Sequence, residues 1–419
     1  MSPYEGLVDL EARTVSPRLF ADADVYRAEL ERIFARSWLF VAHESQISRV
    51  GDFLTNTMGE ESVVVCRDSR SRVRVFVNSC RHRGVPICRV EQGNAKSFTC
   101  PYHGWTYDIQ GRLVGVPQLD TSYHGELNRD EWGLLEVPRV ESYRGLIFAC
   151  LEETVEPLDD YLGEIRWYLD SVFNRTEVGY VALPGTHRWV LDANWKFGAE
   201  QFGGDNYHAN VAHAAMTRLG FGSNFQGANL KRSFEAKTKQ GHGWINLEIR
   251  ELESASEALQ AYENKVRVEA AKRLEPAQTD LIGTSFVGTI FPNFSLISVL
   301  GFLNIRLWQP RGPGRMEVWS WDLIGKDAPA DVVAFARDAR IRTFSPSGIF
   351  EQDDGEVWTA AQRALGGPYR KRFALNYSMG AGHGFQSEDR PGTLHGPSTE
   401  IPVFGFYERW RQAMATHSL

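Results

Sequence analysis

The sequence lacks several features that define whole classes of protein. It has no excess of basic residues, because 46 Lys and Arg stand against 53 Asp and Glu, a formal net charge of −7 at pH 7. We therefore predict that it binds neither nucleic acid nor an anionic membrane surface. Residues 1–17 contain three acidic side chains and no apolar core, so we expect no secretory signal and a cytoplasmic location.

Long hydrophobic runs are also scarce. One segment, 281–305, has no charged residue and is long enough to cross a bilayer. Three glycines, a proline and an asparagine interrupt it, and hydroxyl side chains are scattered through it. We therefore predict buried strands and turns here, and no membrane span.

Cysteine is limited to five residues. An odd number without a secretory signal argues against a disulfide framework and favours free thiols or metal ligands. Cys80 and Cys100 belong to a metal-binding pattern described below. We predict that the other three are buried thiols: Cys66, Cys88 and Cys150.

The hydrophobic pattern changes along the chain and predicts an α+β protein. Apolar residues at helical spacing predict a helix over 24–38, and alternating valines over 63–65 and 73–77 predict antiparallel strands up to about residue 150. Helices are then predicted at 158–173, 195–215, 254–273, 328–342 and 351–365, strands at 284–290, 294–300, 303–308 and 316–324, and a loop at 220–229. The expected domains are an N-terminal helical segment over 1–38, a small antiparallel β domain over 39–153 and a larger α+β domain over 154–419.

Two short segments carry a Cys and a His each. Cys80 and His82 form a C-x-H pair, and seventeen residues later Cys100 and His103 form a C-x-x-H pair. In a Rieske [2Fe–2S] centre, two Cys thiolates hold one iron and two neutral His nitrogens hold the other. A structural zinc site is the alternative, but zinc motifs usually pair two Cys or two His on each loop. The spacing therefore favours the Rieske centre.

A second set of metal-ligand types follows at His208 and His213. Two His and one carboxylate on one face of Fe(II) leave positions open for O2 and a substrate. Five residues on an ideal helix turn through about 140° net, so the helix should bulge or end between the two rings. Asp205 lies three residues before His208 and could orient its imidazole. In isolation, two such His would more often be packing or surface residues.

The carboxylate ligand has to come from elsewhere in the chain. The segment 350–356, with the sequence FEQDDGE, is the best candidate. Spacing alone does not choose between Asp353 and Asp354.

With these residues in view, the sequence resembles the large (α) subunits of ring-hydroxylating Rieske dioxygenases. It looks closest to the group acting on phenylpropionate, biphenyl and naphthalene. The resemblance covers almost the whole chain, and Gln201 stands where many relatives have Asn. Besides the Rieske loops, it includes 40–45 (FVAHES), 145–148 (GLIF), 194–196 (NWK), 291–293 (FPN) and 344–354.

The resemblance implies a Rieske domain and a catalytic domain of the helix-grip type, in which helices cover a curved antiparallel sheet. It implies that Cys80 and Cys100 hold one cluster iron, and that His82 and His103 hold the other. His208, His213 and Asp354 are implied as ligands of the mononuclear Fe(II). Asp205 is implied as the bridge to His103 of the next chain, in an α3β3 assembly with a small β subunit.

The sequence has no G-x-G-x-x-G placed between a strand and a helix, so we expect NADH to bind a separate reductase that acts through a ferredoxin. The expected reaction is cis-dihydroxylation of an aromatic ring with O2. A Rieske monooxygenase or demethylase, and a non-enzymatic Rieske electron carrier with a ligand-binding domain, are the alternatives. Candidate walls of the substrate pocket are Gln201, Phe202, Phe294, Phe344 and Phe350, although a residue of this kind taken alone is more often part of the core.

Overall fold

The structure is a computed structural model and describes residues 3–218, 232–248, 256–299 and 301–415. The chain forms two compact units: Phe34–Leu158, and Met1–Ile33 together with Asp159–Leu419. Helices and antiparallel sheets occur together, which confirms the α+β class. The domain limits expected from the sequence stay predictions, and the loop expected at 220–229 lies outside the described residues.

The N-terminal segment is helical for a shorter distance than predicted. Its elements are β1 (Val8–Asp9), β2 (Thr14–Val15), α1 (Arg18–Ala21) and α2 (Ala23–Glu29), followed by a π-helical turn over Leu30–Phe34. The single helix predicted over 24–38 is therefore wrong at its end. Residues 35–38 are not helical, and they lead into the run LFVAH at 39–43, which is buried at every position and pairs in a sheet.

The unit Phe34–Leu158 contains three small antiparallel sheets, whose orders are β6-β5-β4-β7, β10-β9-β8 and β11-β12-β3. The predicted valine alternation lies in its central hairpin, where Val63 pairs with Val77. Its elements are β3 (Leu39–His43), β4 (Asp52–Met58), β5 (Glu61–Arg67), β6 (Val73–Val77), β7 (Gln92–Asn94), β8 (Ser97–Thr99), β9 (Thr106–Asp108), β10 (Leu113–Gly115), α3 (Leu119–Ser122), β11 (Arg139–Tyr143) and β12 (Leu146–Cys150).

The larger unit is organised around a nine-stranded antiparallel sheet. Its elements before the main strands are α4 (Leu158–Leu162), α5 (Ile165–Phe173), β13 (Tyr180–Ala182), β14 (His187–Leu191), α6 (Trp195–Gly204), α7 (Ala209–Ala212), α8 (Ala214–Arg218), β15 (Phe234–Lys237), β16 (Gly243–Leu247), α9 (Glu257–Ala270) and α10 (Pro276–Thr279). The remaining elements are β17 (Ser285–Ile290), β18 (Phe294–Val299), β19 (Phe302–Pro310), β20 (Met316–Gly325), α11 (Ala330–Phe344), α12 (Ile349–Leu365), β21 (Leu375–Asn376), β22 (Thr393–His395) and α13 (Ile401–Ala415).

The main sheet has the order β13-β20-β19-β18-β17-β16-β15-β22, with β14 paired to β20. The charge-free segment 281–305 supplies β17, β18 and the start of β19, as predicted. Within the described ranges, no helix is long and apolar enough to cross a membrane. β21 pairs with β2, which ties the N-terminal segment to this unit.

Helix α6 lies directly against the sheet and positions the candidate metal ligands that follow it. A Cβ on Gly243 would lie 1.8 Å from the carbonyl oxygen of Gly203, so the close approach of β16 and α6 requires glycine. The Asn194 side chain caps α6 by accepting from the Lys196 N–H. The helix ends after a Gly-Gly pair, so the prediction of one helix over 195–215 is wrong. The expected interruption before His213 is present.

Candidate metal centres

Three side chains from two parts of the sequence converge in the larger unit. His208 Nε2 lies 3.2 Å from His213 Nε2. Asp354 Oδ1 lies 3.6 Å from the first of these nitrogens and 3.4 Å from the second. Among the described residues, this is the group of three potential ligands whose donor atoms all lie within 4.8 Å of one another.

The three donor atoms fit one metal ion. Asp354 Oδ1 is buried and has no hydrogen-bond partner, which is costly for a carboxylate unless a cation satisfies it. Two bonds of about 2.1 Å that meet at about 100° place their donor atoms roughly 3.2 Å apart. The observed separations match this spacing, and a 2-His-1-carboxylate set on one face is typical of non-haem Fe(II).

Breaks in the helical structure bring the two imidazoles together. His208 lies at the N-terminal boundary of α7 and His213 at its C-terminal boundary, and α7 is a single turn of four residues. The ring centroids are 5.1 Å apart. A continuous helix would have directed the two rings apart, so the end of α7 at His213 is a condition for the site.

Each imidazole is also held through its Nδ1 atom, while its Nε2 atom faces the triad. His208 Nδ1 hydrogen-bonds the backbone oxygen of Asp205 and lies 3.5 Å from Asp205 Oδ2, and the His208 N–H donates to Asp205 Oδ1. His213 Nδ1 lies 3.2 Å from Asp353 Oδ2. An N–H at Nδ1 leaves the Nε2 lone pair free for a metal. Asp353 therefore faces the outer edge of His213, while Asp354 faces both Nε2 atoms.

The electrostatics of the three groups also favour a cation. Burial raises the pKa of Asp354 to about 7, although the nearby His208 charge acts to lower it. Burial lowers the pKa of His208, but Asp205 outweighs it and raises that pKa to about 9. Burial and the His208 charge lower the pKa of His213 to about 4. A divalent ion would displace the protons and hold all three groups in their ligating forms.

The Rieske motif occupies two similar loops in the smaller unit. The Cys80 N–H donates to the Val85 oxygen, and the Gly84 N–H donates back to the Cys80 oxygen. In the second loop the Cys100 N–H donates to the Trp105 oxygen, and the Gly104 N–H donates to the Cys100 oxygen. Both glycines have φ near +75°, a conformation that glycine adopts without strain.

The two cysteines of these loops are buried, and the two histidine rings lie close together. Cys80 and Cys100 are each 3% exposed, and the rings of His82 and His103 are 4.6 Å apart. His82 Nδ1 is buried without a hydrogen-bond partner, as expected of a metal ligand. Trp105 stacks on His82 at 5.0 Å, which fixes the orientation of that ring.

A two-iron cluster fits these loops better than one zinc ion. Around one zinc with bonds of about 2.0–2.3 Å, the ligand atoms are roughly 3.3–3.8 Å apart. In the described part of the chain, Cys80, His82, Cys100 and His103 do not supply three ligand atoms within 4.8 Å of one another. A [2Fe–2S] cluster separates the Cys pair from the His pair, which accounts for the wider arrangement.

The predicted pocket residues have different neighbours in the structure. Phe350 lies 4.6 Å from the His213 ring, and Phe344 stacks on Phe350 at 5.1 Å. Phe202 packs on Trp308, and Phe294 is buried in β18. Gln201 is buried, and its side-chain oxygen accepts from the Trp358 indole N–H at 2.8 Å.

Three residues near the triad were missed in the sequence. Arg306 in β19 and Glu351 in α12 form a buried ion pair, and Trp358 contacts Gln201. Arg306 could have been noticed in the sequence, because it is a charged residue in the otherwise uncharged strand FLNIRLWQP. A buried strand tolerates such a charge only with a partner.

Two family descriptions match the chain. Residues 37–143 match "Rieske [2Fe-2S] domain" and residues 158–416 match "Ring hydroxylating alpha subunit (catalytic domain)". The chain belongs to the ring-hydroxylating dioxygenase α-subunit family. It is therefore an oxidoreductase with a Rieske [2Fe–2S] cluster and a mononuclear iron as cofactors.

Named relatives support this membership. The chain is 40% identical to the biphenyl 2,3-dioxygenase subunit alpha of Rhodococcus jostii (strain RHA1), over 98% of this α subunit and 91% of the relative. It is similar to naphthalene 1,2-dioxygenase from Rhodococcus sp. bound to indole, with a TM-score of 0.90, 38% identity and coverage of 97% and 95%. It is also 34% identical to the N,N-dimethyl phenylurea N-demethylase subunit alpha of Sphingobium sp. (strain YBL2), over 96% and 91% of the two chains.

Proposed function

We propose that this α subunit is the catalytic component of a terminal oxygenase that adds both atoms of O2 to an aromatic ring as a cis-dihydrodiol. The convergence of His208 Nε2, His213 Nε2 and Asp354 Oδ1 carries the proposal, because an electron carrier needs no second metal site. The two Rieske loops in the same chain supply the means of electron delivery.

The proposed iron ligands follow from the donor atoms. His208, His213 and Asp354 hold the mononuclear Fe(II), Cys80 and Cys100 hold one iron of the cluster, and His82 and His103 hold the other. Fe(II) supplies an open coordination face for O2, and the cluster supplies single electrons.

Other side chains of the larger unit orient these ligands and shield the reaction. Asp205 and Asp353 hold the two imidazoles by their Nδ1 atoms. Phe344 and Phe350 form an apolar wall beside His213. The protein thus contributes orientation and exclusion of water, while the metals supply the reactivity.

We propose that Asp205 conducts electrons from the Rieske centre of a neighbouring chain. Asp205 contacts the His208 ring on one side, yet its side chain stays 31% exposed and can meet a second imidazole. The partner group is His103 of the next chain in an α3β3 assembly with a small β subunit, and a ferredoxin and an NADH-dependent reductase reduce the cluster. Cys66, Cys88 and Cys150 are buried free thiols, as in a reducing cytoplasm.

We further propose that the substrate is an uncharged aromatic ring. Arg306 lies between predicted pocket walls, with its guanidinium carbon 5.1 Å from the Phe202 ring centroid and 5.3 Å from that of Phe344. Its three nitrogens already donate to Asn304 Oδ1, Glu351 Oε2 and the Phe344 oxygen. The guanidinium is therefore committed to the protein, and its charge is compensated without a substrate carboxylate.

Product analysis under 18O2 tests the proposal. The purified oxygenase is supplied with ferredoxin, reductase and NADH, and benzene, biphenyl and naphthalene are compared with benzoate and 3-phenylpropionate. We expect two labelled oxygens in one cis-diol, from an uncharged ring. Preferred turnover of an acid would contradict the assignment of Arg306.

A demethylase is the second candidate, because one relative that matches almost the whole chain is named as an N-demethylase subunit alpha. The same assay includes an N,N-dimethyl phenylurea. Formaldehyde release with one labelled oxygen atom, and no diol from any ring in the panel, would support the demethylase instead.

A further inference from the structure

Trp105 contacts both Rieske loops of the smaller unit. Its backbone oxygen accepts a hydrogen bond of 2.7 Å from the Cys100 N–H in the second loop. Its side chain lies against the first loop, where the indole and the His82 imidazole are parallel to within 9° and their centroids are 5.0 Å apart. Trp105 therefore contacts one proposed ligand of each cluster iron, although the two ligands belong to different loops.

Neighbouring side chains hold this indole in place. Trp105 is 4% exposed and belongs to the core cluster that contains both cysteines of the site. Trp132 packs edge-on against it, with ring centroids 6.3 Å apart. The Arg81 guanidinium lies over Trp132 at 5.4 Å and donates to the Gly133 oxygen at 2.9 Å. Because Arg81 precedes His82 in the chain, these contacts connect the stacked rings back to the first loop.

The two histidines of the site have different surroundings. The His82 ring is half-buried, and the buried indole covers one of its faces. His103 is exposed, and the neighbouring Tyr102 is exposed as well, at 56%. In the proposed function His103 is the ligand that passes electrons on. The structure therefore leaves the electron-transferring histidine open and covers the other one.

The covered side of the site affects the charge that the cluster gains on reduction. A Rieske cluster with two Fe(III) ions, two sulfides, two thiolates and two neutral imidazoles has no net charge. One added electron gives it one negative charge, and no bond forms or breaks. An apolar ring that excludes water disfavours the charged state, so it lowers the reduction potential.

We propose that Trp105 keeps the reduction potential of the Rieske cluster low by excluding water from the covered face of His82. This inference rests on the proposed cluster ligands. A lower potential makes the reduced cluster a stronger electron donor, which favours electron delivery towards the mononuclear iron. Trp105 is thus a positioning residue, because it acts through a ligand and does not touch the reacting atoms.

The test is a potentiometric titration of the full oxygenase with its Rieske cluster loaded, followed by the Rieske absorption in the presence of redox mediators. We expect Trp105→Leu to favour the reduced cluster by about tenfold, an upward shift of about 59 mV for a one-electron couple. Trp105→Phe keeps a smaller ring over His82 and should raise the potential by a lesser amount. Pulsed EPR of the reduced cluster counts its histidine ligands and verifies that both remain bound in each variant.

Tyr123→Leu is the matched control. Tyr123 is half-buried and packs on the same indole, with ring centroids 6.5 Å apart. Its replacement removes an aromatic ring from this core and keeps Trp105 stacked on His82, so the potential should stay at the wild-type value. Thermal unfolding measures the packing that each variant loses. A purely structural role of Trp105 would lower the unfolding temperature without moving the potential.

The outcomes separate this inference from the proposed ligands. If pulsed EPR of the wild-type cluster shows fewer than two histidine ligands, the proposed ligand set is wrong. If both histidines are bound and neither Trp105 variant has a raised potential, the role of Trp105 is rejected. A lowered potential, or an equal rise in Tyr123→Leu, would also reject it. If Trp105→Leu assembles no cluster, Trp105→Phe decides between the same outcomes.

Discussion

The Arg306 guanidinium lies 2.5 Å from Glu351, from Nη1 to Oε2, and both side chains are buried. Glu351 is one turn before Asp354 on α12, so the pair anchors the ligand-bearing helix to β19. The other oxygen, Oε1, has no hydrogen-bond partner. The Glu351 carboxylate is therefore held by Arg306 through one of its two oxygens.

Replacing Glu351 by Gln should lower the free energy of unfolding by about 3–5 kcal/mol, because it leaves the Arg306 charge buried and unpaired. Urea unfolding followed by fluorescence measures the change. The double variant Arg306→Met/Glu351→Leu should regain part of the loss, since it removes both charges. A double variant less stable than Glu351→Gln would show that packing of these side chains, rather than charge pairing, dominates.

The adjacent aspartates of α12 should differ in their effect on the metal. Asp354→Asn should abolish Fe(II) binding at the triad and turnover, while the Rieske absorption stays intact, because it replaces the anionic carboxylate that meets both imidazoles by a neutral amide. Asp353→Asn keeps a side chain of the same size beside His213 and should weaken Fe(II) binding by about 10- to 100-fold. Iron content and chelator competition measure both. The reverse ranking would reassign the ligand to Asp353.

Asp205→Asn should slow electron transfer without emptying either metal site. The backbone oxygen of Asp205 still holds His208 Nδ1 in this variant, so the iron ligand keeps its orientation. Stopped-flow oxidation of the reduced Rieske cluster in a single turnover with substrate and O2 measures the rate. An unchanged rate with full iron content would reject Asp205 as the bridge.

The sequence predicted the parts of the site whose residues are close in the chain. The Rieske loops were recognisable because each holds a Cys and a His within four residues. The break in the helix near His213 was predictable because two His five residues apart on a continuous helix would point in different directions. Asp353 and Asp354 could not be separated, since neighbouring helix positions differ by about 100° and only the packing of α12 decides which faces inward. The Arg306–Glu351 pair was missed because its partners are 45 residues apart and meet only in the folded core.

Glu200 should make stability depend on pH, because its carboxyl accepts hydrogen bonds from the hydroxyls of Tyr377 and Tyr407 in a partly buried site. Burial raises the pKa of Glu200 from 4.5 to about 8. Between these two values the folded protein keeps a proton that the unfolded chain has lost. The Glu200 contribution to stability is thus full below pH 4.5 and is lost as pH rises towards 8.

Glu200→Gln replaces the protonated carboxyl by a neutral group of the same shape and removes this titration. The free energy of unfolding of the wild type, relative to that of Glu200→Gln, should therefore fall steadily as the pH rises from 5 to 8. A cavity of about 290 Å³ that Glu200 and Asp205 both line gives water access, so the carboxyl can exchange its proton. Urea unfolding of both proteins at several pH values measures the difference. Parallel curves would mean that Glu200 is already ionised in the folded protein at pH 5.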